Sequence, residues 1–303
     1  MTALAQLFAA TILPVLLVAG VGFALQRALH IDPSPLSRVA FYAALPALLF
    51  QLLVASDIHP AQLGQMMLLA TAVIAGMAIL GFLISRALRL PDRLAAAFIL
   101  SVTFMNAGNY GLSVSKFAFG DAGLAWASVF YVTSSMLANA AGVYIATIGR
   151  SSPLRAAAGL LKVPALYAIL LALIVRGFRF ELPVFAARSI GLLAAAAIPL
   201  MLLVLGMQLS RAGIPQRRTL VGLSAGLRLV ASPLLAWFLF PVFTLPSLAG
   251  SIAVLESAMP SAVLNSIIAT EYDTEPGFVA GAVLVSTILS PLTLTPILAF
   301  LGA

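Results

Sequence analysis

The chain is built almost entirely of apolar stretches long enough to cross a bilayer, with gaps of only a few residues between them. A helix rises about 1.5 Å per residue, so about 20 apolar residues cross a hydrocarbon core about 30 Å thick. That rule gives ten candidate spans, roughly 5–26, 36–55, 62–86, 94–118, 122–148, 157–176, 186–208, 218–242, 247–270 and 276–301. Only 8% of the residues are charged, about a third of what a soluble domain carries, and mean hydropathy is +1.13. Such a chain cannot cover a water-facing surface. It reads as an all-α polytopic membrane protein, because backbone polar groups in hydrocarbon must be satisfied within their own segment.

The 16 Lys and Arg outnumber the nine acids, but they fall between the apolar runs. That is the pattern of a cytoplasmic membrane face, not of a nucleic-acid partner. With the N-terminus outside, the cytoplasmic connections hold Arg27, Arg38, Arg86, Arg89, Arg93, Arg150, Arg155, Lys162, Arg211, Arg217, Arg218 and Arg228. The opposite face holds Lys116, Arg176, Arg179 and Arg188. Twelve against four predicts both termini outside. The start, "MTALAQLFAATILPVLL", lacks a basic leader and reads as a first span. With no cysteine, disulfides and thiolate metal sites are excluded.

The chain also repeats itself. Pro14, Pro33 and Arg38 recur as Pro164, Pro183 and Arg188; "ALPALLF" (44–50) recurs as "AIPLMLL" (197–203), setting Pro46 against Pro199. Pro91 matches Pro246, Met105-Asn106-Ala107 matches Met259-Pro260-Ser261, and Gly149 matches Gly302. These collinear matches divide the chain into 1–150 and 151–303, with five spans each. An odd number of spans makes the second half enter from the opposite side, so the expected architecture is an inverted-topology repeat, as in many secondary transporters.

The fourth and ninth spans each carry a polar break near the centre, "MNAGNYG" (105–111) and "LESAMPSAVLN" (255–265). Pro260 removes a backbone donor and disfavours helix before it, while Gly108 and Gly111 permit angles other residues resist. Two broken helices are therefore expected to cross at mid-membrane. The half-helices starting near Asn109 and Ser261 would present free N–H groups and positive dipole ends to an anion. Asn106, Asn109, Ser261 and Asn265 would satisfy the loosened backbone or bind a carboxylate, and unwound carbonyls could instead hold a cation.

Glu256 is the one acid well inside a span. A buried carboxylate needs a partner or a proton, so Glu256 is the candidate for a coupling proton or a nearby sodium ion. Asn139, Ser286, Thr287 and Ser290 occupy the spans after the breaks and are expected to face the crossing. Gln51 and Gln208 read as helix–helix hydrogen-bonding residues. No Lys or Arg is expected near either break, so the site would bind with dipoles and amides.

The motifs "NAGNYGL" (106–112), "ESAMPSA" (256–262) and "STILSPLTLTPIL" (286–298) resemble the auxin efflux carrier family, in particular its bacterial permeases for malate, malonate and similar acids. The resemblance runs over essentially the whole chain. It implies a fold shared with bile acid sodium symporters and some sodium/proton antiporters. It also implies a scaffold of spans one, two, six and seven, a transport domain of the other six, and an elevator-like displacement. By the family pattern Asn106, Asn139, Pro260 and their neighbours, including Gly108 and Tyr110, line the substrate site. A homodimer through the scaffold and a bacterial inner membrane are further implications. Family members often carry proline after the first break's glycine or within that break, whereas this chain has Ser113 after "GL", which predicts a less sharply unwound first break. The long loop of the plant carriers is absent.

These readings converge on a secondary carrier of small organic anions, with no cofactor beyond a coupling sodium ion or proton. The membrane potential supplies about 2.3 kcal/mol per charge per 100 mV, and no GxxxxGK[ST] motif for ATP is present. A sodium/proton exchanger or a sodium-coupled symporter of the same fold is the alternative, although exchanger chemistry wants more than one buried acid. An intramembrane enzyme would need a convergent nucleophile and base or a metal site, and the spans contain no Cys, His or Asp to build one. A channel is disfavoured by the absence of a ring of pore charges.

Overall fold

The computed structural model describes residues 3–148, 158–213 and 217–303. Gly149, Arg150 and Arg155 lie outside them. Among the described residues every regular element is helical, and one antiparallel bridge joins Met105 to Ser261.

Helices α1 (Ala3–Thr11) and α2 (Leu13–Leu29) meet at a 44° bend. Helix α3 (Pro33–Val39), a π turn (Ala40–Ala44) and α4 (Leu45–Ala55) form one rod. Helices α5 (Pro60–Ala87) and α6 (Asp92–Thr103) follow. A π turn (Ala107–Leu112) then leads into α7 (Ser113–Leu137), and a second (Ala138–Gly142) into α8 (Val143–Ala146). The rest comprises α9 (Pro164–Gly177), α10 (Val184–Ser210), α11 (Arg218–Gly226), a π turn (Leu227–Ala231), α12 (Ser232–Leu239), α13 (Ser247–Ser257), α14 (Val263–Glu271) and α15 (Pro276–Leu301).

Six of these rods are long and apolar enough to cross a membrane, and the bent pair α1–α2 makes seven; α9 and α13 are apolar but shorter. The chain is thus a multi-pass helical membrane protein. The rod Ala107–Ala146 covers parts of two expected spans, which join at Gly120 (φ 65°, ψ −156°), a conformation that favours glycine.

Proline organises the helix starts. Pro14, Pro33, Pro60, Pro164 and Pro276 occupy first turns, where the missing N–H would have had no intrahelical acceptor. Pro91 and Pro246 cap α6 and α13 with nearly equal angles (φ −58°, ψ 149° and φ −57°, ψ 152°). Pro46 follows the π turn in which the Leu45 N–H reaches back to Ala40 O, so the ladder widens where a donor is lost. Pro199 lies inside α10.

Helices α2, α4, α9 and α10 pack on one another. The closest approach is made by glycines, with Gly22 against the Leu203 carbonyl and Gly206 against the Ala19 carbonyl, leaving no space for a Cβ. A second group, α5, α6, α7, α12, α13 and α15, packs around the Met105–Ser261 bridge, and the π turn 107–112 meets α10 between the groups.

One charge is not where the sequence count put it. Arg228 lies in the π turn Leu227–Ala231 with 0% exposure, not in a connection. Removing it leaves eleven basic residues against four, so the bias keeps its direction. The count treated the first turns of the eighth apolar run as part of the preceding loop.

Candidate functional site

Two irregular stretches, 104–106 and 258–262, separate α6 from the π turn and α13 from α14. Pro260 has no N–H, and its carbonyl accepts the Asn106 N–H at 2.7 Å; the Ala262 N–H donates to Phe104 O at 2.9 Å. The Ser261 N–H goes to Ser286 Oγ at 3.1 Å. The backbone released by each stretch is therefore satisfied largely by the other stretch and by α15. This corrects the expectation of a free N–H at Ser261. The helices restart at Ala107 and Val263, and their first N–H groups have no intrahelical acceptor. Neither Gly108 nor Gly111 has a positive φ, so the glycines are not there for backbone angle.

The carbonyls ending α6 and α13 are held by two side chains. Asn265 Nδ2 donates to Leu100 O (3.1 Å), Phe104 O (3.0 Å) and Ser261 Oγ (3.1 Å). One Arg228 nitrogen donates to Val102 O and Thr103 O, both at 2.9 Å. The other donates to Ser257 O at 2.6 Å and to Ser232 Oγ. Sequence reasoning placed no cation here. The available signal was an arginine ten residues into the run 218–242, since an ionisable residue inside a span is a site candidate by default.

A cavity of about 430 Å³ opens beside the bridge. Asn106, Gly108, Asn109 and Asn139 line it, with Ser134, Ser135, Tyr131 and Gln208. Val263 and Leu264 bring the start of α14 to the same wall, and Arg38 stands exposed among the lining residues. Asn106 is 5% exposed, and its Nδ2 has no hydrogen-bond partner among the described residues. Gln208 Oε1 is likewise buried without one, so Gln208 does not link helices through that atom as expected. Asn139 Nδ2 donates to Ser135 O at 2.8 Å.

Tyr110, Pro260, Ser261 and Asn265 are not on this wall. All are buried in the crossing, where the Tyr110 hydroxyl accepts from Ser290 Oγ at 3.2 Å. Glu256 is also fully buried and away from the cavity. Ser115 Oγ donates to its Oε1 at 2.8 Å, while Oε2 has no partner among the described residues. Gly111 lies flat against this carboxyl, leaving no space for a Cβ.

A larger cavity, about 790 Å³, lies at the other end of the α4 and α10 interface, lined by Gln51, Asp57, Gln62 and Trp126 and by the paired Lys116 and Asp121. Neither irregular stretch reaches it. The smaller cavity is the better site, because both helix starts and an unpartnered amide converge there.

The sequence matches the membrane transport protein family over residues 7–154 and 148–298. The chain belongs to this family. It is the membrane transport family of the auxin efflux carriers, which the sequence motifs resemble. Within it, the chain is 30% identical over 267 residues to an "uncharacterized transporter" of Methanothermobacter thermautotrophicus, covering 87% of each chain. It is 25% identical over 268 residues to another of Methanocaldococcus jannaschii, covering 86% of each. Family membership makes this protein a membrane transporter.

Proposed function

We propose that the protein is a secondary carrier of small organic anions, carboxylates above all. The observation that carries this reading is the cavity of about 430 Å³. Two helix starts open on it, Asn106 Nδ2 has no acceptor among the described residues, and Arg38 stands among its lining residues. Helix N-termini favour anions, and a cavity of this size suits a small acid. Asn106, Asn139, Gly108 and Asn109 then contact substrate, whereas Tyr110, Pro260, Ser261 and Asn265 hold the wall in shape.

In this reading the chain crosses the membrane ten times as two inverted halves. The paired prolines that cap α6 and α13, and the irregular stretch after each, support it. Helices α6 and α13, of 12 and 11 residues, are each about half a span at about 1.5 Å per residue. The group α2, α4, α9 and α10 serves as scaffold, the remaining helices carry the substrate, and the two cavities mark the ends of an elevator-like path. With both termini outside, the substrate cavity lies toward the cytoplasm, on the side of Arg38.

Glu256 is the group through which a proton would couple to transport. Among the described residues it is the only buried acid, which favours a carrier over a sodium/proton exchanger. The test is flux in proteoliposomes across a panel of mono- and dicarboxylates. A saturable current for one acid, lost in Asn106→Ala, is expected. Silence for every acid, with currents from sodium or pH steps alone, would instead support the exchanger.

A further inference from the structure

The last carbonyls of a helix lack intrahelical donors and carry the negative end of its dipole. Two such ends meet here, α6 at Thr103 and α13 at Ser257. In carriers built on interrupted helices, unwound carbonyls and half-helix C-terminal ends are where a coupling Na⁺ is held. In this protein those oxygens already have a cation. The Arg228 guanidinium takes Val102 O, Thr103 O and Ser257 O, it is fully buried, and among the described residues no acid forms an ion pair with it.

We propose that Arg228 is the resident cation of the crossing: its guanidinium occupies the place a coupling sodium ion would take, so this carrier works without sodium. The inference deepens the carrier reading and rests on it for the flux measurement.

Three features support the assignment. First, a buried guanidinium is costly unless its donors are satisfied. Nε has no partner among the described residues, and the two terminal nitrogens are taken mainly by helix-end carbonyls, the same ligands that would replace the hydration shell of Na⁺. Second, the fork bridges both helices: one nitrogen serves α6 and the other serves α13. A tethered cation thus fixes their relative position, as a bound ion would. Third, the remaining candidate for sodium fits poorly. Ser115 holds Glu256 Oε1, and although Oε2 has no partner among the described residues, no second acid is buried beside it among those residues; the sodium arm of the test reads any ion bound there. A second cation among the same carbonyls would meet a full unit charge at contact distance.

The test uses the full chain. Its apparent melting temperature is measured in detergent in sodium chloride and in choline chloride at equal ionic strength. Flux of the transported acid is measured in proteoliposomes with the same two salts. For the unaltered protein, both readouts should be the same in the two salts. A saturable, sodium-specific rise in melting temperature or flux overturns the proposal, and this arm needs no variant. Arg228→Ala should lower flux by about 10- to 100-fold, as loss of several hydrogen bonds to a charged group implies. Free guanidinium ion, but not choline, should restore part of it, and the melting temperature should become sodium-sensitive. Arg228→Lys, which keeps the charge but not the fork, should be less stable yet remain indifferent to sodium. A residue that merely packs would lose stability in Arg228→Ala without guanidinium rescue or a new sodium response; that result also overturns the proposal. If no acid is transported by the unaltered protein, the carrier reading fails, and the melting measurements still decide the role of Arg228.

Discussion

Replacing Gly111 by alanine tests whether the Glu256 carboxyl lies against the π turn as the structure has it. An added Cβ would fall 2.8 Å from Glu256 Cδ and closer still to Oε2. Glu256 is fully buried and Gly111 is buried beside it, so the carboxyl cannot swing into solvent. Relief requires moving the carboxyl off Ser115 or pushing the turn away from α13. Overpacking costs about 1–3 kcal/mol and loss of the Ser115 hydrogen bond about 1 kcal/mol more. Together that is roughly 2–4 kcal/mol, or a fall of roughly 5–15 °C in apparent melting temperature. Thermal unfolding followed by size-exclusion chromatography would measure it. Gly64→Ala is the control, since nothing lies within 4 Å of its added Cβ. In a Glu256→Ala background the space is vacated, so Gly111→Ala should cost little, giving a coupling of about 1–3 kcal/mol. An unchanged melting point for Gly111→Ala, or an equal loss in both backgrounds, would refute this packing.

Asn265→Ala removes the donor that serves Leu100 O, Phe104 O and Ser261 Oγ; a loss of about 1–3 kcal/mol is expected from thermal unfolding, with flux reduced because the cavity wall shifts. Arg38→Gln should raise KM severalfold with little change in kcat, and the difference should shrink as salt screens the exposed charge; an equal effect at all ionic strengths would count against a steering role. Glu256→Gln keeps an oxygen for Ser115 but cannot exchange a proton, so flux measured across a pH series should lose its pH dependence while substrate affinity stays near the unaltered value.

Much of the membrane architecture was legible because it follows from one-dimensional rules. Apolar run length located most of the long helices to within a few residues. The expected spans 94–118 and 122–148, however, are met by a helix ending at Thr103 and a rod Ala107–Ala146, and the expected span 157–176 by Pro164–Gly177. Proline spacing marked many of the starts. The irregular stretches were legible from Pro260 and the Asn-Gly clusters, which are poor helix formers. What the sequence concealed is three-dimensional. Which side of the stretch 106–112 looks into the cavity decides that Asn106 and Asn109 line it and Tyr110 does not, and no periodicity reports that across an interrupted helix. Gly111 was read as a backbone hinge but serves to admit a carboxyl from a residue 145 positions away. Arg228 was assigned to a loop because charge counting gave it to the basic cluster of the preceding connection, although it lies ten residues into the run 218–242. Its acceptors, Val102, Thr103 and Ser257, are far away in sequence and contribute only carbonyls, which leave no trace in side-chain pattern.

The native chain has no cysteine, so the location of the substrate site can be tested with single introduced thiols. Gln208→Cys places one on the wall of the cavity beside the bridge, and Gln62→Cys places one in the larger cavity at the other end of the interface. The rate of modification by a small methanethiosulfonate reagent is then measured with and without a transported carboxylate. The account predicts saturable protection at Gln208→Cys, with the same half-saturation as flux, and none at Gln62→Cys. Flux that continues with no protection at Gln208→Cys, or protection confined to Gln62→Cys, would contradict it.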